Sequence, residues 1–362
     1  MFLRRLIMST EHLAKRIRPN GYNAGPLIGT HNGHFHADEA LAVYLLRMLP
    51  TYKPSNLIRT RDPSLLSTCH TVVDVGGEYD ATENRYDHHQ RTFESTFPER
   101  KTKLSSAGLV YLHFGKRVIA ERTQLPEDGE EVQILWRKLY DDFIEALDAN
   151  DNGISAYDPT DTKDLEKRFN DSGVSLGSLV GDLNWHYEGE DTPKSAEQAQ
   201  AEEDQRFSSA SHLMGTTFER KLDYTWRAWL PSRALVRETY AKRNEFDERG
   251  RIMLFTKGCP WKDHLYTIEE EDGVKEKEKA LYVLYPESEH EGSRWRIQAV
   301  PVSKESFESR KPLPEAWRGI RDDDLSKLSG IEGCIFVHVS GFIGGNATKA
   351  GALSMARKAL ED

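Results

Sequence analysis

Residues 26–49 read PLIGTHNGHFHADEALAVYLLRML, and this stretch decides the fold. Residues 26–30 form a short apolar run that predicts a buried strand. A polar loop follows, and from Ala37 an apolar stripe recurs at helical spacing until Pro50 stops it, with the stripe carried by Leu41, Tyr44, Leu45, Met48 and Leu49. A strand, a polar loop and an amphipathic helix in this order are the opening unit of a parallel α/β sheet.

The same alternation continues along the chain. Residues 56–59 and 71–75 predict two more short strands, each followed by polar residues or glycine. Helical spacing returns over 107–122 and 132–147. We therefore expect an α/β fold with a parallel sheet flanked by helices, in which ligands bind beyond the carboxyl ends of the strands.

A second pattern begins further on. The chain is polar and mostly helical to about residue 244, and from residue 251 the apolar period changes to two, which predicts a second sheet from strands at 252–255, 281–285, 295–300 and 335–339. The acidic turn 269–273 is interpreted as a solvated hairpin tip, and a last helix is expected over 348–360. The predicted organisation is a leader at 1–24, a catalytic domain at 25–190, a helical connector at 191–250 and a smaller α+β carboxyl-terminal domain at 251–362.

Composition narrows the class of protein. The 362 residues carry a net charge of −10, so a polyanionic partner needs metal ions or a local basic patch, for which Arg294, Arg296, Arg318 and Lys349 are candidates. The three cysteines are far apart, which excludes a disulfide scaffold and a cysteine zinc module and suits a reducing compartment. No apolar run approaches the roughly 18 residues that span a bilayer, and we expect a soluble intracellular protein without a membrane partner.

The amino terminus has a composition of its own. Its basic residues outnumber a single acid, Glu11, and alternate with apolar ones; they are Arg4, Arg5, Lys15, Arg16 and Arg18. This composition predicts a mitochondrial transit peptide, with a disordered basic arm as the alternative. Met8 could serve as an internal start, which would allow dual localisation.

Four polar clusters follow predicted strands or a helix. They span residues 30–39, 74–77, 86–90 and 148–153. Each is weak alone, since a histidine pair or an aspartate before a helix is commonly a solvated turn or a cap. Together they place many ligand-type side chains on one side of the sheet.

Imidazole and carboxylate donors suit divalent ions such as Mn²⁺ and Mg²⁺, and the number of donors suffices for a pair of ions. Asp74 is the candidate bridge, with His31 and His36 completing one ion and Asp38, His88 and an aspartate of the fourth cluster the other. That aspartate is Asp148 or Asp151; the turn-forming Asn152-Gly153 favours Asp151.

The order of these motifs resembles the DHH phosphoesterase superfamily. The decapeptide 31–40 (HNGHFHADEA) and the carboxyl-terminal motifs 258–262 (GCPWK), 295–298 (WRIQ) and 336–345 (FVHVSGFIGG) narrow the resemblance to the melanocyte-proliferating-gene-one (Myg) exonuclease family. Two positions depart from the superfamily pattern. His36 stands where most members have aspartate, and Asn346 stands where a histidine follows the glycine motif.

The resemblance implies a metal-dependent 3′→5′ RNA exonuclease with two divalent ions, shared between mitochondrion and nucleus. It implies a catalytic group made of Asp74, Asp87 and His89, with His89 at the scissile phosphate. For substrate binding we expect Arg59, Arg61, Ser105 and Ser106 in the first domain and His338, Gly344, Gly345 and Lys349 in the second. Salt bridges for the arginines and helix capping for the serines are the alternatives.

Other activities stay open at this point. A small-molecule phosphohydrolase, such as a pyrophosphatase or oligonucleotide phosphatase, would use the same metal site, and a catalytically silent RNA-binding protein could keep the fold. Residues 173–177 match G-x-S-x-G, but the polar residues before them do not form the buried strand that a serine hydrolase needs.

Overall fold

The computed structural model describes residues 25–185 and 195–362. The leader predicted at 1–24 therefore lies outside the described residues. The chain divides into two compact units, Met1–Thr225 and Trp226–Asp362, so the division falls within the segment predicted as a helical connector.

The first unit contains five strands and most of the helices. Its strands are β1 (Ile28–Thr30), β2 (Leu57–Arg59), β3 (Thr71–Val73), β4 (Tyr79–Asp80) and β5 (Arg85–Tyr86). Its helices are α1 (Ala37–Met48), α2 (Pro63–Leu66), α3 (Ser106–Thr123), α4 (Glu130–Leu139), α5 (Glu145–Asp151), α6 (Pro159–Thr162), α7 (Leu176–Asp182) and α8 (Ala196–Tyr224). A π-helical turn, Tyr140–Ile144, joins α4 to α5.

The sheet of this unit has the strand order β2-β1-β3-β5-β4. The pairs β1–β2, β1–β3 and β3–β5 are parallel, and among the described strands of this sheet only the short edge strand β4 runs antiparallel to its neighbour. The expected α/β architecture, a parallel sheet flanked by helices, is confirmed. β4 and β5 were not expected, since two-residue strands are too short to show a period.

Helix α1 is the centre of the helical layer and packs on α3 and α8. The approach to α8 is close, because a Cβ built on Gly215 would lie 2.1 Å from the ring of Tyr44. Glycine at position 215 is therefore required for this packing. Helix α1 is therefore fixed between the two long helices α3 and α8. The amino terminus of α1 lies at the carboxyl edge of the sheet.

Three strand ends meet at this edge. His31 follows β1, Asp74 follows β3, and Asp87 follows β5. Because these strands are adjacent and parallel, their carboxyl ends lie side by side. The sheet thus gathers residues that are far apart in sequence.

The second unit contains a sheet of order β6-β7-β8-β10-β9. Its strands are β6 (Ile252–Leu254), β7 (Tyr282–Pro286), β8 (Trp295–Ala299), β9 (Cys334–Val337) and β10 (Ile343–Asn346), and its helices are α9 (Leu230–Ala241), α10 (Lys262–Glu271), α11 (Asp322–Ser329) and α12 (Lys349–Glu361). Short 3-10 turns lie at Arg243–Glu245, Glu276–Glu278 and Glu315–Trp317. Apolar side chains cover both sheet faces, in two clusters.

One sequence interpretation in this unit is wrong. Residues 269–271 end helix α10 rather than form a hairpin tip, and Glu269 is buried in a two-pronged ion pair with Arg310. Gly344 and Gly345, which were expected to bind substrate, lie in strand β10. A Cβ on Gly345 would lie 2.8 Å from the guanidinium of Arg296, so a larger residue there would require the Arg296 side chain to move.

Candidate metal centre

Asp74 lies at the centre of the site. It directly follows β3, and its φ of 56° is in the left-handed region, which is uncommon for residues other than glycine. Strained backbone of this kind occurs at functional sites, where the surrounding fold maintains it. Its carboxylate is buried between two imidazoles, with Oδ2 3.3 Å from His31 Nε2 and Oδ1 3.4 Å from His88 Nε2.

Three groups of side chains at and beside Asp74 have the geometry to hold a metal ion. Each group has its donor atoms within 4.8 Å of one another; the groups are His31-His36-Glu39-Asp74, Asp74-His88-His89 and His36-Asp38-Asp151. Asp74 and His36 each belong to two groups. A shared carboxylate is what a pair of neighbouring ions requires.

Glu39 is a residue that sequence reasoning missed. It lies in the first turn of α1, where an acid is ordinary, and its Oε1 accepts the backbone N–H of His36 at 2.8 Å. The same oxygen is 3.2 Å from His31 Nε2, and the second oxygen is buried without a hydrogen bond. The signal available in the sequence was its place three residues after His36 and next to Asp38.

The carboxylate of Asp38 is buried without a hydrogen-bond partner among the described residues, which favours a bound cation. Asp38 is 1% exposed, and both of its carboxylate oxygens lack such a partner. Burial, together with the charges of Asp74, Asp151 and Glu39, raises the pKa of Asp38 well above its ordinary value. An unpaired buried acid among other acids is costly, and a bound divalent ion would neutralise it.

The histidines respond to the same negative charge. Burial disfavours the charged form of His31, but the hydrogen bonds and charges of Asp74 and Glu39 outweigh it and raise its pKa to about 10. The pKa of His88 is raised to about 10 by the same balance, with Asp151 and Asp74 as its partners. Burial opposes ionisation of Asp74, yet the two histidines hold its pKa well below the usual range. Without metal, protons on the imidazoles supply the positive charge.

Asp151 and Asp148 are separated by their surroundings. Asp151 Oδ2 lies 3.0 Å from His88 Nε2 and belongs to a metal-capable group. Asp148 is fully buried elsewhere: its carboxylate accepts Ser105 N–H at 2.9 Å, Ser105 Oγ at 2.8 Å and the Tyr140 hydroxyl at 2.9 Å. The structure does not bring Asp148 into the metal-capable groups, because both its oxygens are occupied by hydrogen-bond donors.

His89 is oriented by Asp87. Its Nδ1 lies 2.7 Å from Asp87 Oδ1, and the same carboxylate accepts the backbone N–H of His89 and of Gly77. The hydrogen bond to Asp87 is the main cause that raises the pKa of His89. The side chain is 62% exposed, so the far edge of the ring faces solvent.

The other predicted substrate contacts in this unit are mostly enclosed. Arg59 is buried and paired with Glu203 rather than free for a phosphate, and the Ser105 hydroxyl is used by Asp148. Ser106 donates to Asp74 Oδ1 at 3.1 Å, so it supports the centre rather than a ligand. Arg61 is exposed.

In the second unit, the predicted residues lie on different elements. Gly344 and Gly345 are buried in β10. His338 is exposed, and its Nδ1 lies 2.9 Å from Ser340 Oγ. Lys349 begins α12, with its amino group 5.9 Å from the centre of the Trp295 ring.

A cavity of about 370 Å³ adjoins the cluster. Its walls include His36, Asp38, Asp74, His89, Asn150 and Asp151. This volume lies within the range of small-ligand sites. Oxygen and imidazole donors, a shared carboxylate and an orphaned buried acid fit divalent ions such as Mn²⁺ and Mg²⁺.

Comparisons with known proteins identify the family. The family model MYG1_exonuc, described as "Uncharacterised protein family (UPF0160)", matches residues 27–360. The chain belongs to the MYG1 exonuclease family. It is 46% identical over 346 residues to the "MYG1 exonuclease" of Homo sapiens, covering 93% of this chain and 86% of that protein.

Further relatives span distant eukaryotes. The "MYG1 exonuclease" of Mus musculus is 46% identical over 356 residues, 96% of this chain and 88% of that protein. The "MYG1 protein" of Dictyostelium discoideum is 44% identical over 334 residues, 92% of this chain and 96% of that protein.

Among the described residues, no helix is long and apolar enough to cross a membrane.

Proposed function

We propose that this protein is a metal-dependent 3′→5′ exonuclease that hydrolyses phosphodiester bonds of single-stranded RNA with two divalent ions, Mn²⁺ or Mg²⁺. The observation that carries the proposal is the position of Asp74 in two donor groups at once. The human and mouse relatives that are named exonucleases support the nuclease activity. The order of His31, Asp74 and Asp87-His88-His89 along the sheet supports a DHH-like catalytic unit.

His31, His36 and Glu39 would hold one ion, and Asp38, His88 and Asp151 would hold the other, with Asp74 shared. His31, His36, Glu39 and Asp74 form one donor group, Asp38 and Asp151 belong to another, and Asp151 Oδ2 lies 3.0 Å from His88 Nε2. Divalent cations bound there supply positive charge to the scissile phosphate and make a water molecule more acidic. Ser106 keeps the shared carboxylate in one orientation through its hydrogen bond to Oδ1.

His89 is the group suited to proton transfer. Because Asp87 accepts a hydrogen bond from Nδ1, the neutral ring leaves Nε2 without its proton and the charged ring carries a proton there. Nε2 belongs to the exposed edge of a residue that lines the cavity. From there it can donate a proton to the leaving oxygen or a hydrogen bond to the phosphate.

The site within the cell is part of the proposal. The basic and apolar residues of 1–19 support import into mitochondria, and the family resemblance supports a second location in the nucleus.

The test is a cleavage assay on single-stranded RNA labelled at its 5′ end, with Mn²⁺, Mg²⁺ or a chelator. We expect products that shorten one nucleotide at a time from the 3′ end with either ion, and none with the chelator. Asp74→Ala should abolish cleavage, whereas Asp161→Ala, at an exposed acid on α6, should leave it unchanged.

Other outcomes separate the alternatives. Intact RNA together with phosphate release from pyrophosphate would identify a small-molecule phosphohydrolase. Binding of RNA without cleavage of any of these substrates would identify a silent binding protein. Cleavage that persists in Asp74→Ala would overturn the assigned site.

A further inference from the structure

The loop that connects the two histidines of the centre, residues 32–35, is held by side chains from distant parts of the first unit. At Gly33 the backbone N–H donates to Glu203 Oε1 at 2.7 Å, and the carbonyl accepts from the Arg59 guanidinium at 2.8 Å. Arg59 also donates to the same Glu203 oxygen at 2.8 Å. Arg59, Glu203 and both polar groups of Gly33 therefore form one closed ring of hydrogen bonds.

Arg59 is enclosed on its other sides. Its side chain is 1% exposed, and its guanidinium carbon lies 5.4 Å from the ring centre of Phe35 and 4.7 Å from that of Phe207. The carboxylate oxygen Oδ1 of Asp204 lies 3.5 Å from Nη1 of Arg59. A buried guanidinium between two rings and an acid has a single position, so it can fix the backbone to which it is bonded.

A second pair of hydrogen bonds fixes the loop at Phe35, two residues after Gly33. The side-chain amide of Asn184 accepts the backbone N–H of Phe35 at 3.0 Å and donates to the carbonyl of Phe35 at 2.8 Å. Both polar groups of this peptide residue are thus bonded to one side chain that lies 149 positions away in sequence. Gly33, with a φ of +85°, also supplies a left-handed turn of the loop, two residues before Phe35.

We propose that Arg59, Glu203 and Asn184 are positioning residues of the metal centre, which set the separation and orientation of His31 and His36 through the loop between them. This inference rests on the proposed metal centre. None of the three is a member of a donor group, so their effect reaches the ions only through the loop. Residues that support metal ligands in this way contribute about 10- to 100-fold to metal affinity.

The experiment compares Mn²⁺ binding with unfolding in the full chain. Three variants each remove the hydrogen bonds that one side chain makes to the loop: Glu203→Ala, Asn184→Leu and Arg59→Met. Arg122→Met is the matched control. Arg122, on α3, pairs with Glu219 and Asp223 of α8, the helix that also carries Glu203, but no hydrogen bond or ion pair among the described residues joins Arg122 to the loop 32–35. Mn²⁺ affinity is measured by calorimetry at 15 °C, and the melting temperature is measured in chelator.

We expect the Mn²⁺ dissociation constant at 15 °C to rise at least about tenfold in Glu203→Ala and Asn184→Leu, although both variants are still folded at that temperature in chelator. Glu203→Gln keeps an oxygen that can accept from Gly33, so it should bind Mn²⁺ more tightly than Glu203→Ala. If Arg59→Met does not fold, these other variants still decide the matter.

Unchanged Mn²⁺ affinity in Glu203→Ala and Asn184→Leu would overturn the inference, as would an equal loss in Arg122→Met. Glu203→Gln binding as poorly as Glu203→Ala would also count against it. These results differ from failure of the proposed function, in which the wild-type chain itself would bind no Mn²⁺.

Discussion

The hydroxyl of Ser106 donates a hydrogen bond of 3.1 Å to Oδ1 of Asp74, and both residues are buried. Ser106 is the first residue of α3, and Asp74 directly follows β3, so the bond joins the helical layer to the carboxyl edge of the sheet. The carboxylate shared by two donor groups is thereby held by a neutral donor as well as by His31 and His88.

Ser106→Ala tests this support. Because the alanine cannot orient the carboxylate, Mn²⁺ affinity and kcat on RNA should each fall by about tenfold. Calorimetry and the cleavage assay measure the two effects. Ser209→Ala, at an exposed serine of α8, is the control and should change neither. Equal behaviour of the two variants would show that Ser106 only fills space.

Asp38→Asn separates two effects of the Asp38 carboxylate: its effect on stability without metal and its contribution to metal binding. Removing an unpaired buried acid relieves repulsion with Asp74 and Asp151, so the metal-free protein should gain on the order of 1 kcal/mol in free energy of unfolding. The same change removes a donor, so the increase in melting temperature on adding Mn²⁺ should become smaller than in the wild type. Thermal unfolding in chelator and in Mn²⁺ provides both numbers. A variant that is destabilised in chelator contradicts the assignment.

Adjacent histidines are predicted to have different roles. His88 is buried against Asp74 and Asp151, whereas His89 is 62% exposed and has its Nδ1 occupied by Asp87. His89→Gln should lower kcat by about 100-fold or more while leaving Mn²⁺ affinity within about threefold of the wild type. His88→Gln should lose both. Calorimetry on the two variants makes the comparison, and a matched loss of Mn²⁺ binding would make His89 a ligand instead.

The sequence predicted what is local. The strand, loop and helix of 26–49 carry their own period and stop signal, and polar clusters after parallel strands converge for a topological reason. The donors that those clusters supply, such as His31, Asp74 and His88, are therefore the ones that the structure brings together.

What the sequence could not predict depends on partners far along the chain. Arg59 at the end of a strand is expected to face solvent or a phosphate, but Glu203, 144 residues later, pairs with it in the interior. Glu269 looks like part of a solvated turn, yet Arg310, 41 residues later, buries it. Glu39 resembles a capping acid because it is one, and only the fold shows that it also faces His31.

Asp148 and Asp151 illustrate the same limit and lead to a prediction on pH. They lie three positions apart on α5, so periodicity places both on one side of the helix, and the donors Ser105 and Tyr140 decide between them. Burial raises the pKa of Asp148 to about 7, although the hydrogen bonds from Ser105 and Tyr140 favour its charged form.

Because the folded state holds this proton more tightly than the unfolded chain, the stability contributed by Asp148 is complete below about pH 4 and is lost as the pH rises to about 7. The free energy of unfolding of the wild type minus that of Asp148→Asn should therefore fall across this interval, by at most about 4 kcal/mol. Denaturant unfolding in chelator between pH 4.5 and 8 measures the difference. The same subtraction with Asp161→Asn, at an exposed acid, should show no comparable slope. A flat difference for Asp148→Asn would mean that its carboxylate stays ionised in the folded protein, stabilised by the donors of Ser105 and Tyr140.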